Sequence, residues 1–230
     1  MTTSGTYAFA PSLGELVLYA YNSIGLRNTS LIQEHLTTAR MATNLMLARW
    51  ANQGVNLWAV DLVTVTLVQG TKTYSVDPST VVMLDAYVTT VSGGVSTDRI
   101  ILPISRTEYA SYPNKDQQGA ITTFWFDRLL SPTVTLYQVP DGTTAQYLKY
   151  YRVRQIQDAA YTSAQNVEIP YLWLEAFADG LAFRLAKIWK PEMAAPLKLL
   201  ADESYQIAAD QNVETAQQYI SPMLAGYFRP

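Results

Sequence analysis

Leu62-Val63-Thr64-Val65-Thr66-Leu67-Val68 sets Val63, Val65 and Leu67 against Thr64 and Thr66, and here the hydrophobic period of the chain changes from helical to two. The run breaks at Gln69-Gly70-Thr71 and returns through Thr73-Tyr74-Ser75-Val76, which predicts a hairpin. Residues 81–91 and 99–104 bracket Ser92-Gly93-Gly94, a second hairpin signal. Residues 122–127, residues 133–139, the turn Pro140-Asp141-Gly142 and residues 146–153 complete a set of seven short strands. Strands so short and so evenly punctuated predict an antiparallel sandwich or small barrel. No long helical pattern lies between them, which argues against a parallel sheet.

Both flanks of this segment read as helix. Upstream, Ser12 stands three residues before Glu15, the spacing at which each side chain satisfies a free N–H of the other's turn. Leu13, Leu16, Val17, Ala20 and Ile24 follow at helical spacing, and Gly25 supplies a stop. Ser30 and Gln33 repeat the start signal. Behind them Ile32, Leu36, Ala39, Thr43, Met46 and Trp50 form one stripe, ended by Gly54. The short link at residues 25–29 predicts an antiparallel helical hairpin. Downstream, residues 169–189 are apolar nearly all round, as in a helix buried on more than one face. Lys190-Pro191 breaks that helix, and a more polar one follows over residues 192–210.

The expected fold is therefore α+β, a helical bundle formed by the N- and C-terminal segments with an inserted antiparallel β-sandwich or barrel-like domain. The divisions fall at residues 1–58 for the helical hairpin, 59–158 for the β insert and 159–212 for the returning helices. Residues 213–230 form an expected docking arm, in which Tyr219, Ile220, Met223, Leu224, Tyr227 and Phe228 are apolar anchors among small and polar residues. Apolar anchors are costly to leave in water, so the arm should dock on another surface.

Composition narrows the function. Only 15% of the 230 residues are charged, against 16 tyrosines. Tyrosine offers a large apolar face and a hydroxyl at low entropic cost, which suits protein–protein contact, although an uncharged secreted β protein has a similar profile. A net charge of −3 gives no basic footprint for gripping nucleic acid. With no cysteine there are no disulfides or thiolate metal sites. No signal peptide and no apolar run of about 20 residues is visible, so the expectation is a soluble, cytosolically assembled chain without membrane contact.

Chemistry is harder to find. The single histidine, His35, has no second ligand at helical spacing and reads as a solvent-facing or interface residue. No phosphate-binding glycine loop or nucleophile elbow is present. Asp77-Pro78 and Asp141-Gly142 are turn chemistry. Lys149, Arg152 and Arg154 interleave with Tyr147, Tyr150 and Tyr151, but strand alternation sends them to opposite faces. Ion pairs of Arg154 with Asp158, or Arg152 with Asp127, are the plainer account. No catalytic residue, cofactor or metal is expected. One alternative is a carbohydrate-binding or hydrolysing protein with a sugar site among Trp125, Tyr137 and Tyr147.

The order of several phrases carries a resemblance. They are Ala48-Arg49-Trp50-Ala51-Asn52-Gln53-Gly54, Thr73-Tyr74-Ser75-Val76-Asp77-Pro78, Ile104-Ser105-Arg106-Thr107-Glu108-Tyr109, Leu136-Tyr137-Gln138-Val139-Pro140-Asp141 and Leu148-Lys149-Tyr150-Tyr151-Arg152-Val153-Arg154. Over residues 12–190 the chain resembles the head-to-tail adaptor proteins of short-tailed bacteriophages, the group of tail tubular protein A and the tail accessory factors. That resemblance implies a non-enzymatic virion protein, a homo-oligomeric ring, usually dodecameric, between the portal protein and the tail nozzle. Double-stranded DNA would pass through its channel without specific binding, past acidic or neutral residues.

Overall fold

The computed structural model describes residues 3–54, 56–160 and 165–213. Over these it is mixed α+β, with five α-helices and a single curled sheet of seven strands.

Helix α1 spans Leu13–Ser23 and begins as its sequence dictates. Glu15 N–H donates to Ser12 Oγ at 3.4 Å while Ser12 N–H donates to the Glu15 carboxylate at 2.8 Å. It ends where Gly25 takes φ +78°, a left-handed turn that lets Gly25 N–H reach Asn22 O and Leu26 N–H reach Tyr21 O. Helix α2, Gln33–Asn52, does not begin on Ser30. Ser30 belongs to a preceding 3-10 turn, Asn28–Ser30, where its hydroxyl donates to Arg27 O. Ile32 has no side-chain acceptor, so the first turn is closed from the other side, with Ile32 N–H donating to His35 Nδ1 at 3.3 Å.

That bond draws His35 inward. Its ring stacks on Trp189 with centroids 4.1 Å apart, and its carbonyl accepts the Tyr21 hydroxyl. His35 is a buried core residue, not the solvent-facing one its sequence context suggests. Helices α1 and α2 also depart from the expected hairpin, since both pack chiefly on helix α4, Leu174–Trp189. A helix apolar nearly all round has enough surface to take both. Lys190 and Pro191 turn the chain, as expected, into helix α5, Ala194–Gln211, which returns along α4.

The helical core is built from Leu16 and Tyr21 of α1, Met46 and Trp50 of α2, Phe177, Leu181 and Leu185 of α4, and Leu197 and Ala208 of α5. Gly180 allows α2 and α4 to close, because a Cβ there would lie 2.7 Å from Met46 Sδ.

The strands are β1 Val60–Thr66, β2 Thr73–Ser75, β3 Thr80–Ser92, β4 Val95–Pro103, β5 Thr123–Asp127, β6 Thr133–Tyr137 and β7 Ala145–Arg154. They lie in the order β1-β7-β3-β4-β5-β6-β2. The second hairpin, β3–β4, forms around Gly93 and Gly94 at φ +56° and +81°. The first does not form: β1 pairs with β7 from Val60↔Val153 to Thr66↔Tyr147, and β2 pairs with β6. The expected turn is present, with Thr71 N–H donating to Val68 O at 3.1 Å, but it carries the chain across from one half of the sheet to the other instead of back along β1.

Strand β4 makes the corner. Residues 95–101 pair antiparallel with β3, while Leu102 and Pro103 pair parallel with β5. The halves fold onto one core, with Val88, Ile101, Leu148 and Tyr150 on one side and Phe124, Val134 and Leu136 on the other. The expected antiparallel sandwich or small barrel is one continuous curled sheet whose halves share a core, its strands antiparallel except where β4 meets β5.

Where the sheet rejoins the helices, the basic end of β7 is paired. Arg152 Nε and Nη2 donate to the two oxygens of Asp61 at 2.7 and 3.2 Å, and Nη1 donates to Thr80 Oγ1 at 3.0 Å. Arg154 grips both oxygens of Glu168. The pairing is as expected, but the partners are not Asp127 and Asp158: Asp61 stands on β1, laid beside β7, and Glu168 lies in the chain returning to the helices. Asn44 of α2 then clamps the returning chain, accepting Ala159 N–H at 2.7 Å and donating to Ala159 O at 3.2 Å.

Candidate assembly interface

The arm anchors named from the sequence, Tyr219, Ile220, Met223, Leu224, Tyr227 and Phe228, lie outside the described residues. The candidate sugar site is not gathered. Trp125 and Tyr137 stand on β5 and β6 beneath the short helix α3, Arg106–Ser111, and the loop after it. There Trp125 packs on Tyr109 with centroids 5.7 Å apart, and Tyr137 stacks on Tyr112 at 4.1 Å. Their faces are spent on each other. Tyr147 stands on β7 between Thr66 and Thr89, in the other half of the sheet. Most of the basic and tyrosine residues of β7 are committed too: Tyr150 is buried, Arg152 and Arg154 are ion-paired, and Lys149 lies 5.9 Å from the Tyr87 ring, while Tyr151 stays exposed.

The helices carry what remains open. Between α2 and α4 runs a groove of about 440 Å³, lined by Met41, Leu45 and Ile188 with Thr38, Arg184 and Lys187. Met41 is 62% exposed and Ile188 57%, so apolar surface is presented to solvent rather than buried. A narrower crevice where α2, α4 and α5 meet adjoins it, lined by Arg49, Arg184, Asp202 and Tyr205 among others. No ion pair reaches Arg49 or Arg184 among the described residues. Burial, and then the neighbouring charge of Arg49, hold the Arg184 guanidinium below its ordinary pKa. Asp202 is the carboxylate that lines this crevice, and none lines the groove itself.

Helix α5 offers the opposite character on its far side. It buries Leu197, Ala201, Ser204 and Ala208 and turns Asp202 and Tyr205 toward the crevice. Leu199, Leu200, Glu203, Ile207 and Asp210 fall on the remaining face, with Leu199 71% exposed. No helix among the described residues is long and apolar enough to cross a membrane.

The sequence reading missed Met41 and Leu45, whereas Ile188 falls in the run 169–189 read as apolar nearly all round. A signal existed: α2 carries Met41 and Leu45 off the Ala39–Met46–Trp50 stripe, more apolar residues than a helix with one buried side needs.

A search for similar curated proteins finds no match. A family model described as the SU10 adaptor protein matches residues 24–223, which takes in α2 to α5 and the whole curled sheet. Because that match covers most of the 230 residues, the chain belongs to the SU10 adaptor protein family.

Proposed function

We propose that this phage structural adaptor works as a ring, of twelve copies, joining the portal protein to the tail nozzle and extending the DNA channel between them. The observation that carries the reading is the adaptor-family match over residues 24–223. The exposed apolar surface on α2, α4 and α5 supports it, because such surface asks to be covered by protein. So does the net charge of −3, since a wall that held phosphates tightly would impede passage of the genome. The mechanism is mechanical: the ring retains packaged DNA and then lets it slide. In this reading the helices make the ring contacts and meet the portal. The curled sheet faces outward or toward the tail, and residues 213–230 anchor on the portal or a neighbour.

The experiment is to compare particles made with and without the chain, and with a chain truncated after Asn212. Particles lacking the chain should be filled heads without tails. The truncated chain should fold yet build no connector. Intact tailed particles formed without the chain would overturn the reading, and intact particles from the truncated chain would overturn the role of the arm.

A further inference from the structure

The two open helical surfaces differ in a way that one contact can use. The groove between α2 and α4 is apolar through Met41, Leu45 and Ile188, it carries Arg184 and Lys187, and no carboxylate is among its lining residues. The far face of α5 is apolar through Leu199, Leu200 and Ile207 and carries Glu203 and Asp210, with no basic residue in the stripe. The residues that turn toward the crevice, Asp202 and Tyr205, lie across α5 from that stripe, so the groove side and the stripe point different ways. One chain therefore cannot satisfy its own groove with its own stripe, whereas a second copy can.

We infer that the groove between α2 and α4 of one subunit receives the acidic, apolar face of α5 of the next, making a head-to-tail contact between copies. This inference rests on the ring reading above and names the surfaces that would build the ring. Glu203 and Asp210 supply the negative charge that the groove lining, with Arg184 and Lys187 in it, does not contain, and Ile207 and Leu199 cover Met41, Leu45 and Ile188. Because the two patches are different, the contact is heterologous: each copy keeps one patch free for a further copy, and the series closes into a ring if the rotation allows. A contact of opposite charges also sets direction, since groove against groove would bring Arg184 and Lys187 against themselves.

The absence of cysteine from the chain gives a test free of background. Chains carrying Leu45→Cys, Ile207→Cys or both are produced during assembly of the phage particle, and purified particles are treated with a short bismaleimide. The double variant should give a ladder of covalent oligomers of the chain. Each single variant alone should give no linked pair. Adding Glu203→Arg with Asp210→Arg, both on exposed positions that do not threaten folding, should weaken the ladder at least about ten-fold, the loss expected when close complementary charges become repulsive. Arg184→Glu combined with that pair should restore it.

Several results overturn the inference. Leu45→Cys alone linking to itself would mean a two-fold contact. Leu45→Cys linking to another virion protein would give the groove to the portal or tail. An unlinked Ile207→Cys in the double variant would leave the α5 face for the channel wall. In all three the chain is still present in the particle, and the ring reading survives. Absence of the chain from purified particles is the separate outcome that removes the ring reading itself.

Discussion

Trp50→Ala removes the ring around which three helices meet, and its cost can be worked from the contacts. Trp50 is 4% exposed, with Trp173 at 5.1 Å, Tyr205 at 5.9 Å and Phe177 at 6.4 Å between ring centroids. A buried tryptophan withdraws on the order of 200 Å² from water, which at about 25 cal/mol per Å² corresponds to about 5 kcal/mol. Alanine keeps the Cβ contact, and the extended-chain reference inflates such figures, which brings the expected loss to about 4 kcal/mol. That is a large part of the roughly 5–15 kcal/mol by which a domain is stable. Urea unfolding followed by far-UV circular dichroism measures it, with Trp50→Phe as a control that should lose less than half as much. Amide exchange adds location: protection should fall in α2 and α4, while Val134–Leu136 of β6, in the separate sheet core, stay protected. A loss below about 1.5 kcal/mol would refute the reasoning, since it would put Trp50 in the range of an ordinary substitution.

Other positions test other parts of the account. Arg152→Met should cost about 2 kcal/mol in the same unfolding assay, because it strips hydrogen bonds from Thr80 and Asp61; Asp61 is exposed enough to rehydrate, so the larger penalty of a stranded buried charge should not appear. The Glu168 carboxyl is held below the usual carboxylate range chiefly by its hydrogen bonds from Arg154. A lowered folded-state value stabilises the fold above the ordinary Glu value of 4.5, and the contribution is lost as pH falls through the lower one. Wild-type stability should therefore fall more steeply than that of Glu168→Gln between about pH 5 and pH 3, and parallel curves would contradict this. His35→Phe should keep the stack on Trp189 but lose the acceptor for Ile32 N–H, costing about 1 kcal/mol with fraying confined to the first turn of α2.

Elements with strong local signals were legible in the sequence. The Ser12–Glu15 spacing, the Gly25 stop, the Gly93-Gly94 turn and the Lys190-Pro191 break act through neighbours a few residues away, and each is found where the pattern puts it. All seven strands were legible too, because alternation is local. Pairing is not. Nothing near residues 62–76 says that β1 lies beside β7, since Thr66↔Tyr147 joins positions far apart in the chain. The partners of Arg152 and Arg154 were misjudged because neither is set locally: Asp61 is brought in by β1, and Glu168 by the segment leading back to α4. His35 was misread because a 3-10 turn ahead of α2 displaced Ser30 and left the ring to close the helix from within. The groove at Met41, Leu45 and Ile188 depends on how α2 lies against α4, which Gly180 and Met46 decide by contact.

The account stands most directly on the mass of the purified chain measured by light scattering, alone and with the portal protein added. It predicts a monomer that becomes a stoichiometric ring on the portal, with one copy of the chain for each portal subunit. A chain that stays monomeric and unbound in the presence of an assembled portal would contradict it.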